Sequence, residues 1–227
     1  MVRRKAPTKD ESALLPPFAA LPESAILIPA TDEEFAAARA ELLQAKVLGF
    51  DTESKPLFQV GAIDTGPHLV QFSTTQKAWL LQMRHPQSMV LAREVLGNRQ
   101  IVKAGFGLDN DKHQLQGRLN VELQNVIDLD RVFKRHGYGA STGVRAAIAL
   151  VRGESFRKSK KITTSNWAIE HLSDSQRRYA ANDAFAAAMV QAGLQSWEAQ
   201  QPAIEPHQAR REPRPESGSE RSTEQRH

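Results

Sequence analysis

The chain has 227 residues, 40% of them apolar and 25% charged, and contains no cysteine. That length fits one domain plus tails, and the lack of cysteine excludes a disulfide framework, a thiolate nucleophile and a thiolate metal site, leaving oxygen or imidazole for any metal. The formal charge of +4 and a pI near 9.5 point mildly to a polyanionic partner.

In chain order, residues 1–22 are rich in charge and proline (Pro7, Pro16, Pro17, Pro22) and read as a flexible lead-in. Its basic start has no apolar stretch behind it, which is not a secretory signal, and no run anywhere is long enough for a membrane span. An intracellular protein is expected, of cytoplasm, nucleoid or nucleus, not secreted and without a membrane partner. Residues 25–29 predict a short strand. Thr31 and Glu34 fit a capping box for a helix through Gln44, with Phe35, Ala38 and Leu42 on one face. A strand over 46–53 follows, then a loop over 54–67. Two apolar runs, 68–73 and 78–83, flank Thr74-Thr75-Gln76-Lys77 and predict a hairpin. Residues 86–96 predict an amphipathic helix closed by Gly97-Asn98. A strand over 100–104 then turns at Gly105-Phe106-Gly107 into a helix from about 108.

Val126-Ile127 is a brief strand entering Asp128, the expected N-cap of a helix over 129–135. A helix over 142–151 precedes a loop over 153–166 dense in positive charge. The last strong element is an alanine-rich helix over 173–196. Beyond it the composition of 198–227 predicts disorder. The expected division is a lead-in 1–22, a domain 23–197 and a tail 198–227. Strands in the first half with helices interleaved predict an α/β sandwich with a mixed sheet.

Three segments carry acids that solubility does not require. In Leu48-Gly49-Phe50-Asp51-Thr52-Glu53, a buried strand with a period of two would bring Asp51 and Glu53 to one side. Two carboxylates at a strand end form a hard oxygen site suited to Mg²⁺ or Mn²⁺, although a solvated strand end is the plainer reading of the pair alone. Asp111 falls in the first turn of the helix after Gly107, where Asp109 or Asp111 could instead serve as a cap. Tyr179 and Asp183, four apart, stack on one helix face among alanines that allow close approach to a sheet.

In order and local spacing these segments resemble the three motifs of the DnaQ-like DEDD exonucleases. The subtype is the tyrosine one, since the histidine subtype's position five before the last Asp is Arg178 and Tyr179 stands four before it. The run Lys158-Ser159-Lys160-Lys161-Ile162-Thr163-Thr164-Ser165-Asn166-Trp167 is similar to the Lys-Ser and Ser-Asn-Trp stretch of the Werner syndrome protein exonuclease domain, and more loosely to ribonuclease D. The similarity spans about residues 25–195.

The resemblance implies a 3′–5′ exonuclease on a ribonuclease-H-like three-layer fold, using two divalent cations, Mg²⁺ or Mn²⁺, and releasing nucleoside monophosphates. By motif, Asp51, Glu53 and Asp183 would hold the first cation, Asp51 would bridge to the second, Asp111 would ligate that one, and Tyr179 would orient the attacking water. The chemistry agrees, because clustered carboxylates repel one another unless a cation is present. Lys158, Lys160 and Lys161 are expected to meet backbone phosphates, His113 to face the terminal nucleotides, and Asn166 and Trp167 to meet substrate or, preferably, to anchor their loop. His136 and His171 are read as structural. DNA is the favoured partner, ribonuclease D-like trimming of RNA the alternative, and an inactive nucleic-acid-binding module the reading from another class.

Overall fold

The computed structural model describes residues 4–57, 61, 64–139 and 142–201, the side chains of Asn110 and Asp111 lying outside that set. Six strands form one sheet in the order β1-β4-β3-β2-β5-β6. They are β1 (Ile26–Leu27), β2 (Val47–Glu53), β3 (Leu69–Ser73), β4 (Ala78–Gln82), β5 (Val102–Gly105) and β6 (Val126–Asp128). Only β3 runs against its neighbours; β1 on β4, β2 on β5 and β5 on β6 are all parallel. The sheet is therefore mixed, as the sequence predicts.

Helices cover both faces. On one lie α2 (Asp32–Gln44), α3 (Pro86–Gly97) and α4 (Asp109–Leu119), which bury Phe35, Leu42, Leu91, Val95, Leu115 and Leu119 against Phe50, Phe72 and Trp79. On the other lie α5 (Leu129–Arg135), α6 (Gly143–Arg152) and the long α8 (Asp174–Ala199). The predicted caps hold: Thr31 and Glu34 make a reciprocal capping box, and Asp128 accepts from Asp130 N at 3.0 Å to start α5. A further capping box, Ser173 with Gln176, starts α8.

Side-chain size decides how closely α8 lies on the sheet. A Cβ at Gly49 of β2 would come within 1.9 Å of the Ala184 carbonyl oxygen and 2.6 Å of Ala188 N. Strand and helix thus touch backbone to backbone, which a glycine facing alanines permits. Asp183, next to this contact, is thereby brought against the end of β2.

The expected flexible lead-in is corrected over residues 4–22. Lys9–Ala13 form a helix, α1, capped by Thr8 and Glu11. Pro17 bridges to Ser155, Leu21 N donates to Asn182 Oδ1 at 3.0 Å, and Phe18 packs against Phe156 and Phe185. The physical reason is that a few well-spaced apolar groups and backbone bonds to the domain suffice to fix a strap that composition alone marks as unfixed. Its start is clasped to the end of α8, Arg4 Nη1 donating to Gln201 Oε1 at 2.6 Å. Smaller corrections follow. The strand expected over 25–29 is two residues long, α8 runs on to Ala199, and the basic loop holds a single helical turn, α7 (Lys160–Thr163). The expected disorder over 202–227 lies outside the described residues.

Candidate active site

β2 delivers two carboxylates to the face on which α8 lies. Asp51 is half-buried, its Oδ1 accepting from Thr52 N at 2.9 Å, and Glu53 is buried. Asp183 of α8 is 4% exposed. One oxygen from each of Asp51, Glu53 and Asp183 can be chosen so that all lie within 4.8 Å of one another. Residues more than a hundred positions apart thus converge, as the motifs require.

Among the described residues, Lys158 answers this cluster with a positive charge. The Lys158 side chain is about a third exposed, and its ammonium lies 2.7 Å from Asp183 Oδ2 and 5.4 Å from the Tyr179 ring centroid. The Asp183 contact is an ion pair rather than a well-aligned hydrogen bond, and that oxygen has no other donor among the described residues. Burial lowers the ammonium's proton affinity, but the charges of Asp183 and Asp51 outweigh it and leave the Lys158 pKa raised. Asp183 is itself raised, by burial first, with Lys158 opposing. An ammonium held against the acids shows that the cluster accepts a positive charge, and all its donors are hard oxygens. Both features fit a divalent cation.

Tyr179 lies one turn before Asp183, half-buried, its hydroxyl 2.7 Å from Thr163 Oγ1 on α7 and its ring against Trp167 at 6.0 Å. Burial, then the charge of Asp183, pushes the phenol up to about 12. It is a neutral hydrogen-bonding group at working pH, not a base. Asp111 falls in the first turn of α4; its side chain lies outside the described residues. Asp109, the other acid of that turn, is taken by Arg131 at 2.7 and 2.9 Å, and no side chain caps α4.

The remaining sequence candidates separate. Trp167 is buried and its Nε1 donates to Thr163 O at 3.4 Å, while Asn166 Oδ1 accepts from Ala168 N and its carbonyl from Gln176 Nε2, so both anchor the loop. Lys160, Lys161 and His113 are exposed. Arg178, at the histidine-subtype position, pairs with Glu23 at 3.1 Å.

A cavity of about 450 Å³ opens from the acids, and part of its wall was not foreseen: Phe106 after β5, Asp130 on α5 and Arg145 on α6 join Asp51, Asp183 and Lys158. Asp130 accepts from Gly143 N at 2.8 Å, and burial raises its pKa. Arg145 makes no ion pair among the described residues, a cation facing the cleft. Nothing in local periodicity singles these three out. They meet because the turn after β5 and the starts of α5 and α6 end at one rim.

Comparison with known proteins agrees with this geometry. Mouse (Mus musculus) bifunctional 3′–5′ exonuclease/ATP-dependent helicase WRN is 28% identical over 154 residues, covering 66% of this chain but 11% of that protein. The chain thus spans about a tenth of that relative. Among solved structures, the Aedes aegypti Nibbler EXO domain superposes with a TM-score of 0.68 at 21% identity, over 80% of this chain and 93% of that one. Trypanosoma brucei RNase D, also solved in complex with RNA U12, gives 0.66 at 20% identity, over 74% and 64%. These likenesses show the fold to be the ribonuclease-H-like one. A family model described as 3′–5′ exonuclease matches residues 26–196, nearly the whole of the folded domain, acids included. The chain therefore belongs to the 3′–5′ exonuclease family, hydrolases of phosphodiester bonds.

Proposed function

We propose that the chain hydrolyses the terminal phosphodiester of a nucleic acid 3′ end with two divalent cations, Mg²⁺ or Mn²⁺, DNA being the favoured strand. The observation that carries the reading is the convergence of Asp51, Glu53 and Asp183 around a site now answered by a lysine ammonium. Asp51, Glu53 and Asp183 would hold one cation, Asp51 and Asp111 the other. Such ions, when bound, acidify water and neutralise charge on the reacting phosphate.

The protein's own groups do the rest. Tyr179, neutral and steadied by Thr163, hydrogen-bonds the incoming water and orients it towards phosphorus. The new P–O bond forms as the bond to the 3′ oxygen of the preceding nucleotide breaks. A nucleoside 5′-monophosphate departs and a strand one unit shorter keeps its 3′ hydroxyl. Lys158, now paired with Asp183, is on a partly exposed loop and, with that carboxylate given to a cation, would meet a non-bridging phosphate oxygen. Arg145 offers a second cation along the cleft and Phe106 a face for a base. Lys160 and Lys161 meet phosphates further out, and exposed His113 meets the terminal nucleotides.

The likeness to RNase D supports a second reading, RNA trimming. Digestion of a 3′-recessed DNA duplex and of a matched RNA strand, each with Mg²⁺ and Mn²⁺, distinguishes the two. Asp51→Ala is expected to abolish cleavage of both; undiminished cleavage by that variant would sink the assignment of the site.

A further inference from the structure

Gln71 sits at the centre of β3, wholly buried, and among the described residues neither its amide nitrogen nor its amide oxygen has a hydrogen-bond partner. Burying an amide with both ends unmatched is costly, and an apolar side chain would avoid that cost. Its neighbours give the position a chemical context. On the antiparallel β2–β3 ladder Gln71 stands directly opposite Asp51, and on β3–β4 opposite Leu80. Directly opposed residues share a sheet face, with Cβ atoms about 5 Å apart. The face is the one α8 covers, since Gly49, two before Asp51, meets the α8 backbone there and Leu80 packs with Ala180 and Ala181. An amide whose donor and acceptor are unmatched among the described residues therefore stands across the ladder from Asp51 of the carboxylate cluster.

We infer that Gln71 is a positioning residue for Asp51: in the metal-loaded site its Nε2 donates to the Asp51 carboxylate and fixes which oxygen faces the cation. Asp51 Oδ1 already accepts from Thr52 N, and Gln71 would add a hold from the neighbouring strand. A group hydrogen-bonded behind a metal ligand changes metal affinity without touching metal or substrate. The inference rests on the reading of Asp51 as a metal ligand.

The test is Mn²⁺ binding to the full chain without nucleic acid, followed by titration calorimetry, for wild type, Gln71→Leu, Gln71→Met and Asp51→Ala. Gln71→Leu and Gln71→Met are expected to melt no lower than wild type, to bind Mn²⁺ about tenfold more weakly, and to lower kcat while leaving KM for the strand unchanged. Should Gln71→Leu fail to fold, the unbranched Gln71→Met decides. Wild-type Mn²⁺ affinity in the folded variants overturns the role of Gln71, and so does affinity lost only in step with folding, which assigns the residue to packing. If Asp51→Ala also binds Mn²⁺ like wild type, the metal-site reading itself falls and the inference with it.

Discussion

Asp130 and Asp183 are both raised by burial, but they are answered differently. Asp183 faces an ammonium, whereas Asp130 has the Gly143 N–H and, nearby, the like charge of Asp128. Folded Asp130 holds its proton above the value of 3.8 at which an ordinary Asp releases it. In the window just above that value the folded chain binds more protons than the unfolded one, so stability falls as pH rises through it. Asp130→Asn keeps the acceptor for Gly143 N and removes the charge. Urea denaturation is expected to show this variant gaining on wild type as pH rises above about 4; a difference that stays constant as pH rises from there would contradict the account. The candidate site residues Asp51, Glu53, Tyr179 and Asp183 were legible because each lies in a local period: Asp51 and Glu53 two apart on a strand, Tyr179 and Asp183 four apart on a helix. Gln71, Asp130 and Arg145 were not, since strand register and the meeting of three element ends bring them to the site. Lys158 was legible as a positive charge, but not in the direction of its ammonium.

At the scale of elements, the β2–α8 contact sets the spacing between the two halves of the site. Gly49→Ala would drive a methyl into the α8 backbone, which cannot yield as a side-chain tip can. Overpacking typically costs about 1–3 kcal/mol, and a backbone clash belongs at the upper end. Chemical denaturation is expected to show that loss, with exonuclease activity falling further than the folded fraction because Asp183 is displaced from Asp51 and Glu53. Equal losses would mean that the helix re-seats without moving the acid. Element types read well from sequence where periods were long, as in α2, α3 and α8. The strap over residues 4–22 read poorly, because its anchors are Asn182 and Ser155, groups far away in the chain.

For the whole molecule, Asp51 and Asp183 lie towards opposite ends of the domain's sequence, so a cation held by both would join early and late chain. A ligand that binds only the folded state stabilises it by mass action, about 2.7 kcal/mol at a hundred times its dissociation constant. Mn²⁺ is expected to raise the melting temperature of wild type over that in EDTA and to do little for Asp51→Ala; an equal rise in both would place the ion elsewhere. The Arg4–Gln201 clasp has a separate consequence for architecture. It gathers both ends of the described chain at one corner, about 25 Å along α8 from Asp183 by helical rise. A module fused before Arg4 or after Gln201 would leave from that same corner. Its reach to the cleft would depend on linker length and stiffness, and hardly on which terminus carries it.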